Sequence, residues 1–272
     1  MPLRLRPLEI GDLLDETFRM YRRHFLLFAG ISVILSIPSA ASSGINYFSA
    51  FGSIFEPPTT SEPDTTLFLA GQLAQFVALG INALLLPFSY GAVIYAACES
   101  ALGRPVTAGR VFTAIARRYF PLLGFFLLIW VMLVVFCLIP LWAWIWISWI
   151  AVVPMMFVEN IGLGAAMGRS WRLVTGRWWR TFLIVLLVLL LTLVVQWALA
   201  AFFVVPLFVL SFVLSNYLLL SLSATVSVIV GALVNPILQI AVVLVYFDLR
   251  VRREALDLFQ VAYQLSMPGL QA

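Results

Sequence analysis

"RSWRLVTGRWWRTFLIVLLVLLLTLVV", Arg169 to Val195, decides the fold class of this chain. Four arginines and three tryptophans crowd its first half, and after Arg180 no charge appears until Asp248. A helix needs only about 20 apolar residues to cross a bilayer, so Thr181 to Phe247 holds more than one crossing. Working outward, further uncharged runs cover His24–Phe55, Thr65–Cys98 and Tyr119–Val158. The whole chain is 63% hydrophobic and 10% charged, with a mean hydropathy of +1.07. A soluble domain carries about a quarter charged residues, so that class is excluded.

The expected fold is an all-α polytopic integral membrane protein with six transmembrane helices, near 24–50, 66–98, 120–139, 141–158, 181–204 and 223–247. All sixteen basic residues are arginine, and all lie in segments 4–23, 99–118, 159–180 and 248–257. The remaining charged segment, Glu56 to Asp64, is purely acidic. Positive-inside asymmetry then makes the arginine side cytoplasmic, with both termini inside. A third span within 206–222 would export Arg250, Arg252 and Arg253. Two long spans joined by an apolar hairpin or re-entrant element are therefore preferred. The run "WAWIWISW", Trp142 to Trp149, is expected as an aromatic belt opening the fourth span at the outer surface. The first apolar run follows a charged segment and is too long for a cleaved signal.

One plan recurs three times within a single membrane domain, over about 7–98, 105–158 and 161–248, followed by a tail at 249–272. Each copy has an amphipathic helix, basic residues, two aromatics and then a span. The junctions are "RRHFLLF" (Arg22–Phe28), "RRYFPLL" (Arg117–Leu123) and "GRWWRTF" (Gly176–Phe182). Arg23, Arg118 and Arg177 correspond, as do His24, Tyr119 and Trp178, then Phe25, Phe120 and Trp179.

The helices before these junctions have a helical apolar period. Ile10, Leu13, Leu14, Thr17, Phe18 and Tyr21 form one face of the first. Val111, Phe112, Ile115 and Ala116 form that of the second, and Met167, Trp171 and Val174 that of the third. Such helices suit the membrane interface, with arginines toward headgroup phosphates, or serve as connectors packed on the bundle. The arginine and tryptophan residues expected to meet lipid are Arg23, Arg118, Arg169, Arg172, Arg177, Trp178, Trp179 and Arg180. In the tail, Ala255, Leu256, Phe259, Ala262 and Tyr263 fit a fourth surface helix.

Each even-numbered span ends in an acid: Glu99, Glu159 and Asp248. A carboxylate at the edge of hydrocarbon is costly unless paired, so each is expected to hold an arginine, with Arg23, Arg118 and Arg177 as the natural partners. Polar residues also form two stripes. Gln72, Gln75, Asn82 and Ser89 share one face of the second span, and Ser223, Ser227, Gly231, Asn235 and Gln239 recur along the sixth. They suit either a polar path or close interhelical packing.

No HExxH, GxSxG, phosphate-loop or CxxC pattern is present, so no catalytic, cofactor-binding or metal-ligating residue is assigned. Cys98 and Cys137 fall in spans and read as small core residues. His24 reads as an interfacial aromatic, and the arginine–tryptophan pattern favours anionic lipid headgroups over nucleic acid.

Four stretches carry a family resemblance: "LRPLEIGDLLDETFRMYRRHF", "GRPVTAGRVFTAIARRYFPLLG", "VVPMMFVENIGLGAAMGRSWRLVTGRWWRTF" and "VYFDLRVRREALDL". In these the chain resembles the bacterial family named for the membrane domain of glycerophosphoryl diester phosphodiesterase. The resemblance implies a multi-pass protein of the bacterial cytoplasmic membrane, here as a stand-alone membrane domain. A phosphodiesterase barrel would need roughly another 250 residues and several histidines, where this sequence has His24 alone.

The functional expectation is a non-enzymatic accessory or scaffold protein that engages anionic lipid, or another membrane-protein subunit, through its arginine–tryptophan helices. The alternative is a transporter or lipid-handling protein whose polar stripes in the second and sixth spans line a cavity.

Overall fold

A computed structural model describes residues 9–55, 65–134 and 139–254, and every regular element among them is a helix. Five helical stretches are long and apolar enough to cross a membrane: Phe25–Phe48, Leu79–Ala101, Gly109–Met132, Trp178–Val213 and Tyr217–Glu254. The chain is thus an all-α, multi-pass membrane protein.

Helix α1 (Ile10–Arg23) buries Leu13, Thr17, Met20 and Tyr21, in the register that the apolar period predicts. The buried Thr17 hydroxyl donates to the Leu13 carbonyl at 2.7 Å, so no polar group is stranded on this face. Its apolar side is covered by protein. The helix stops at His24, whose φ of −119° and ψ of 32° leave the helical region before α2 (Phe25–Phe55) begins. Helix α3 (Thr65–Ala101) follows the acidic segment 56–64, which lies outside the described residues, as do Cys137 and the tail helix expected at 255–263.

The second expected surface helix is not a separate element. Helix α4 (Ala108–Val134) runs without a break through Arg117 and Arg118 into the third span. The first copy breaks at His24 and the third at a glycine, but Ala116–Tyr119 contains no such interruption. Val111, Ile115 and Leu122 form the buried stripe of α4, while Phe112 and Ala116, expected on that face, are exposed.

The fourth span, expected as one helix over 141–158, is broken into α5 (Ile139–Ser148) and α6 (Val152–Val158), separated by a turn at 149–151. Pro154 in the first turn of α6 accounts for the position of the break, since its ring lacks an N–H and clashes with the carbonyl four residues back, that of Ile150. Helix α7 (Leu163–Val174) follows and packs on α6, α5 and α4. Its buried face is Ala166, Ser170, Leu173 and Val174, rotated from the expected Met167–Trp171–Val174 stripe. Arg169, expected to point outward, consequently turns toward other protein groups.

Gly176 ends this segment with φ +85°, the left-handed conformation that terminates helices, and α8 (Trp178–Phe203) starts two residues later. Val204 and Pro206 interrupt the helix before α9 (Val205–Val213), because Pro206 cannot donate to Phe202. Ser215, at φ +46°, turns the chain into α10 (Tyr217–Glu254). Residues 206–222 are thus shared between α9 and the opening turns of α10, which starts six residues earlier than expected. At 38 residues, α10 is about 57 Å long against a hydrocarbon core of about 30 Å.

By internal packing the described chain divides into two compact units. The first comprises α1, α3 from Tyr90, α4 to α7, α8 to Leu189 and α10 from Ile237. The second comprises α2, α3 to Ser89, α8 from Leu190, α9 and α10 to Pro236. In the first, Ile240 to Leu249 of α10 is buried on every side, so this segment is the centre of its unit and has no lipid-facing surface. In the second, α2 meets its neighbours through small and polar residues and through Phe48, whose ring lies edge-on to Tyr217 of α10 at 4.9 Å. Asn82 of α3 donates to Ser42 at 3.1 Å and accepts from Ser39, while Ser221 of α10 donates to the Gly44 carbonyl at 2.7 Å. A Cβ at Gly44 would collide with the Thr225 hydroxyl, so only glycine permits this approach.

Replacing Gly176 with alanine adds left-handed strain and places the new methyl 3.1 Å from the Arg253 guanidinium. G176A is expected to lose about 1–2 kcal/mol in detergent unfolding. G164A, at an open helical position, should be neutral or gain up to about 1 kcal/mol. Equal behaviour of the two variants would contradict the assignment of the turn.

Candidate functional site

Two carboxylates of the first unit, Glu159 and Asp248, each gather two arginines. Glu159 sits at the C-terminal end of α6, where four residues turn the chain into α7. Asn160 makes that turn at φ +56°, a conformation asparagine tolerates better than most residues. Arg118 of α4 holds the turn from outside, donating to the Ile161 carbonyl at 2.7 Å and to the Asn160 side chain.

The Glu159 carboxylate is ion-paired with Arg169 of α7 and lies 3.7 Å from Arg250 of α10. The Tyr246 hydroxyl donates to it at 3.0 Å and accepts from Arg250 at the same distance. Glu254 then closes a ring, meeting Arg169 at 2.7 Å and Arg250 at 2.9 Å.

Asp248, whose side chain is 1% exposed, is the second anchor. Arg180 of α8 pairs with it, and Arg252, one turn along α10, donates to both carboxylate oxygens at 2.9 and 3.1 Å. Burying an isolated carboxylate costs several kcal/mol, so this acid is tenable only with both guanidiniums in place. The pair fixes the start of α8 to the end of α10.

The three span-ending acids therefore carry arginines, but not the corresponding residues of the repeat. Glu99 is met by Arg104 at 3.3 Å, Glu159 by Arg169 and Arg250, and Asp248 by Arg180 and Arg252. The reason is local: i,i+4 neighbours on α10 and the inward rotation of α7 put these guanidiniums closer. The Glu99–Arg104 pair, with Arg104 mostly exposed, contributes little stability.

Residues of α7 and α8 pack against the end of α5. Where α5 stops, the Ile145, Trp146 and Ile147 carbonyls accept from the Trp149 and Ile150 amides of the turn, and the Ser148 carbonyl takes a donor from α7. Ser170 of α7, fully buried, donates to the Ser148 carbonyl at 2.8 Å, and the Trp178 indole donates to the Trp144 carbonyl at 3.2 Å. The Trp144 ring meets that of Trp171 edge-on at 4.6 Å. Trp144 therefore sits beside the arginine motif, which corrects the expectation of an aromatic belt at the opposite surface.

No family model, curated protein or solved structure matches the chain. The site is thus read from its own geometry.

Of the residues assigned to lipid contact, Arg23, Arg172 and Trp179 are exposed, Arg177 and Trp178 are half-buried, and Arg118, Arg169 and Arg180 bond within the protein. The three junctions share a pattern. His24, Tyr119 and Trp178 are half-buried, whereas Phe25, Phe120 and Trp179 are exposed. Burial, with the neighbouring Arg23 charge adding to it, pulls the His24 imidazole below its usual range and keeps it neutral at pH 7. Among the polar-stripe residues, Asn82 is engaged by Ser39 and Ser42, Ser89 is half-buried and Asn235 is exposed. Gln239 has its carbonyl oxygen buried without a hydrogen-bond partner among the described residues. The side chains of Gln72 and Gln75 lie outside the described residues.

Sequence reasoning did not single out Tyr246, Arg250, Glu254, Asn160 or Ser170. The first three were accessible: "YFDLRVRRE" places Tyr246 with Arg250, Asp248 with Arg252 and Arg250 with Glu254 at i,i+4 spacing. Ser170 carries no such signal, because its role depends on where α5 breaks.

Removing the Ser170 hydroxyl leaves the buried Ser148 carbonyl without that donor, at a cost of about 1–3 kcal/mol. S170A is expected to destabilise the protein by that amount in reversible detergent unfolding, while S42A, whose hydroxyl is only part-buried, costs less. An unchanged midpoint in S170A would show that the break needs no such donor.

Proposed function

We infer that this protein is a non-enzymatic scaffold of the bacterial cytoplasmic membrane, whose arginine–tryptophan surface engages anionic lipid headgroups on the cytoplasmic side. The supporting observation is a guanidinium surplus beside an exposed indole. From Arg169 to Glu254 the chain carries seven arginines against two acids, and Trp179, in the middle of the motif, is 76% exposed. Exposed tryptophan beside arginine is the side-chain pair that suits the headgroup layer, the ring in the interface and the charge on phosphate.

The buried acids favour a scaffold over a catalyst. Glu159 and Asp248 are engaged by guanidiniums, which commits them to structure. In this reading the chain has six membrane segments, the broken α5–α6 pair being the fourth, and both termini lie on the arginine side by the positive-inside rule. The resemblance to the phosphodiesterase membrane-domain family fits the same architecture without the enzyme.

Arg172 and Arg177 stand outside the inner network and are the natural lipid contacts. Titrating the detergent-solubilised protein with phosphatidylglycerol is expected to raise its melting temperature, and phosphatidylcholine is not. At roughly 1 kcal/mol per arginine, R172Q/R177Q should raise the half-saturating phosphatidylglycerol concentration about 10- to 30-fold. Equal responses to the two lipids, or a stoichiometric protein partner with no lipid selectivity, would overturn the reading.

A further inference from the structure

Arg169 and Arg250 stand between two carboxylates of different standing. Glu159 is the inner one, with its side chain 12% exposed, ion-paired to Arg169 and hydrogen-bonded by Tyr246. Glu254 is the outer one, 30% exposed, on the last described turn of α10. It does not bind as a simple surface ion pair. One oxygen takes Arg169 Nη2 at 2.7 Å and the other takes Arg250 Nε at 2.9 Å. The two guanidiniums come from different helices, α7 and α10, and their positions are already fixed by Glu159 and by Tyr246, which accepts from Arg250 Nη1 at 3.0 Å.

This is the arrangement in which two arginines hold two oxygens of a phosphate. The inner carboxylate supplies the fixed geometry, and the outer one fills the position that opens outward. An oxyanion arriving from the headgroup layer would meet both guanidiniums without disturbing Glu159.

The geometry points to a phosphodiester site at Arg169 and Arg250 for which Glu254 is the built-in occupant, displaced when an anionic lipid headgroup binds. This rests on the lipid-binding reading above and gives it a specific site and a regulator. Glu254 lowers the affinity of that site by competing for it. It also links occupancy to the end of α10, since a displaced Glu254 releases that turn from α7. No covalent step is involved; one carboxylate is exchanged for one phosphate.

The test uses the full chain in detergent, with phosphatidylglycerol and phosphatidylcholine as probes and the melting temperature as readout. E254Q removes the competing charge and keeps the side chain's size. Its half-saturating phosphatidylglycerol concentration is expected to fall about fivefold relative to the parent protein, the factor that matches ~1 kcal/mol at one arginine site. E16Q makes the same charge change on α1, where Glu16 pairs with Arg19, and should leave that concentration unchanged. Inorganic phosphate should not reproduce the shift.

If the parent protein prefers phosphatidylglycerol but E254Q responds as it does, the competition is refuted and the lipid-binding reading stands. If E16Q matches E254Q, the effect is net charge and the site is refuted. Stabilisation of E254Q by inorganic phosphate as strong as by the lipid would overturn the lipid assignment. If the parent protein does not distinguish the two lipids, the underlying reading fails.

Discussion

A carboxylate at the end of a short apolar helix constrains everything around it. Glu159 follows the hydrophobic stretch "VVPMMFV", in surroundings where an unpaired charge would cost several kcal/mol. Two helices answer that charge: α7 with Arg169, and α10 with Tyr246 and Arg250. Arg118 of α4 adds a second hold on the same turn through Asn160 and Ile161. One acidic residue thereby sets the rotation of α7, the position of the α10 terminus and the path of the α6–α7 turn.

The rotation of α7 has a second consequence. With Arg169 turned inward, Ser170 faces the end of α5 and supplies the donor that its Ser148 carbonyl lacks. Helices can break at membrane depth only where protein groups satisfy the freed backbone. Here the same segment that carries the arginines also meets the end of α5, through the Ser170 hydroxyl on the Ser148 carbonyl. Pro38, Pro87, Pro121 and Pro236 all lie inside unbroken helices, so proline alone does not cause a break. At the break before Pro154 the Ser170 hydroxyl stands beside the Ser148 carbonyl.

The long uncharged runs announced the membrane class because hydrophobicity is additive along the chain and needs no partner. The buried register of α1 was legible for a similar reason, being a local property of amphipathic spacing. The pairing of acids with arginines was not, since the sequence offered repeat-equivalent partners while proximity depends on helix rotation. Arg118 illustrates this: it corresponds to Arg23 and Arg177 by motif, yet its guanidinium serves the Asn160 turn next to Glu159. The polar stripe was legible as a stripe, but its partner was not. Asn82 meets serines of α2, which only the packing of "SAASSG" against α3 brings near.

The central claim is that Glu159 and Arg169 act as a coupled pair that orients α7. A double-mutant cycle with Glu159→Gln, Arg169→Gln and the double variant, followed by reversible unfolding in mixed micelles, measures this coupling directly. The account predicts a coupling energy of about 1–3 kcal/mol, with the double variant less damaged than the sum of the single ones. Additivity within about 0.5 kcal/mol would contradict it.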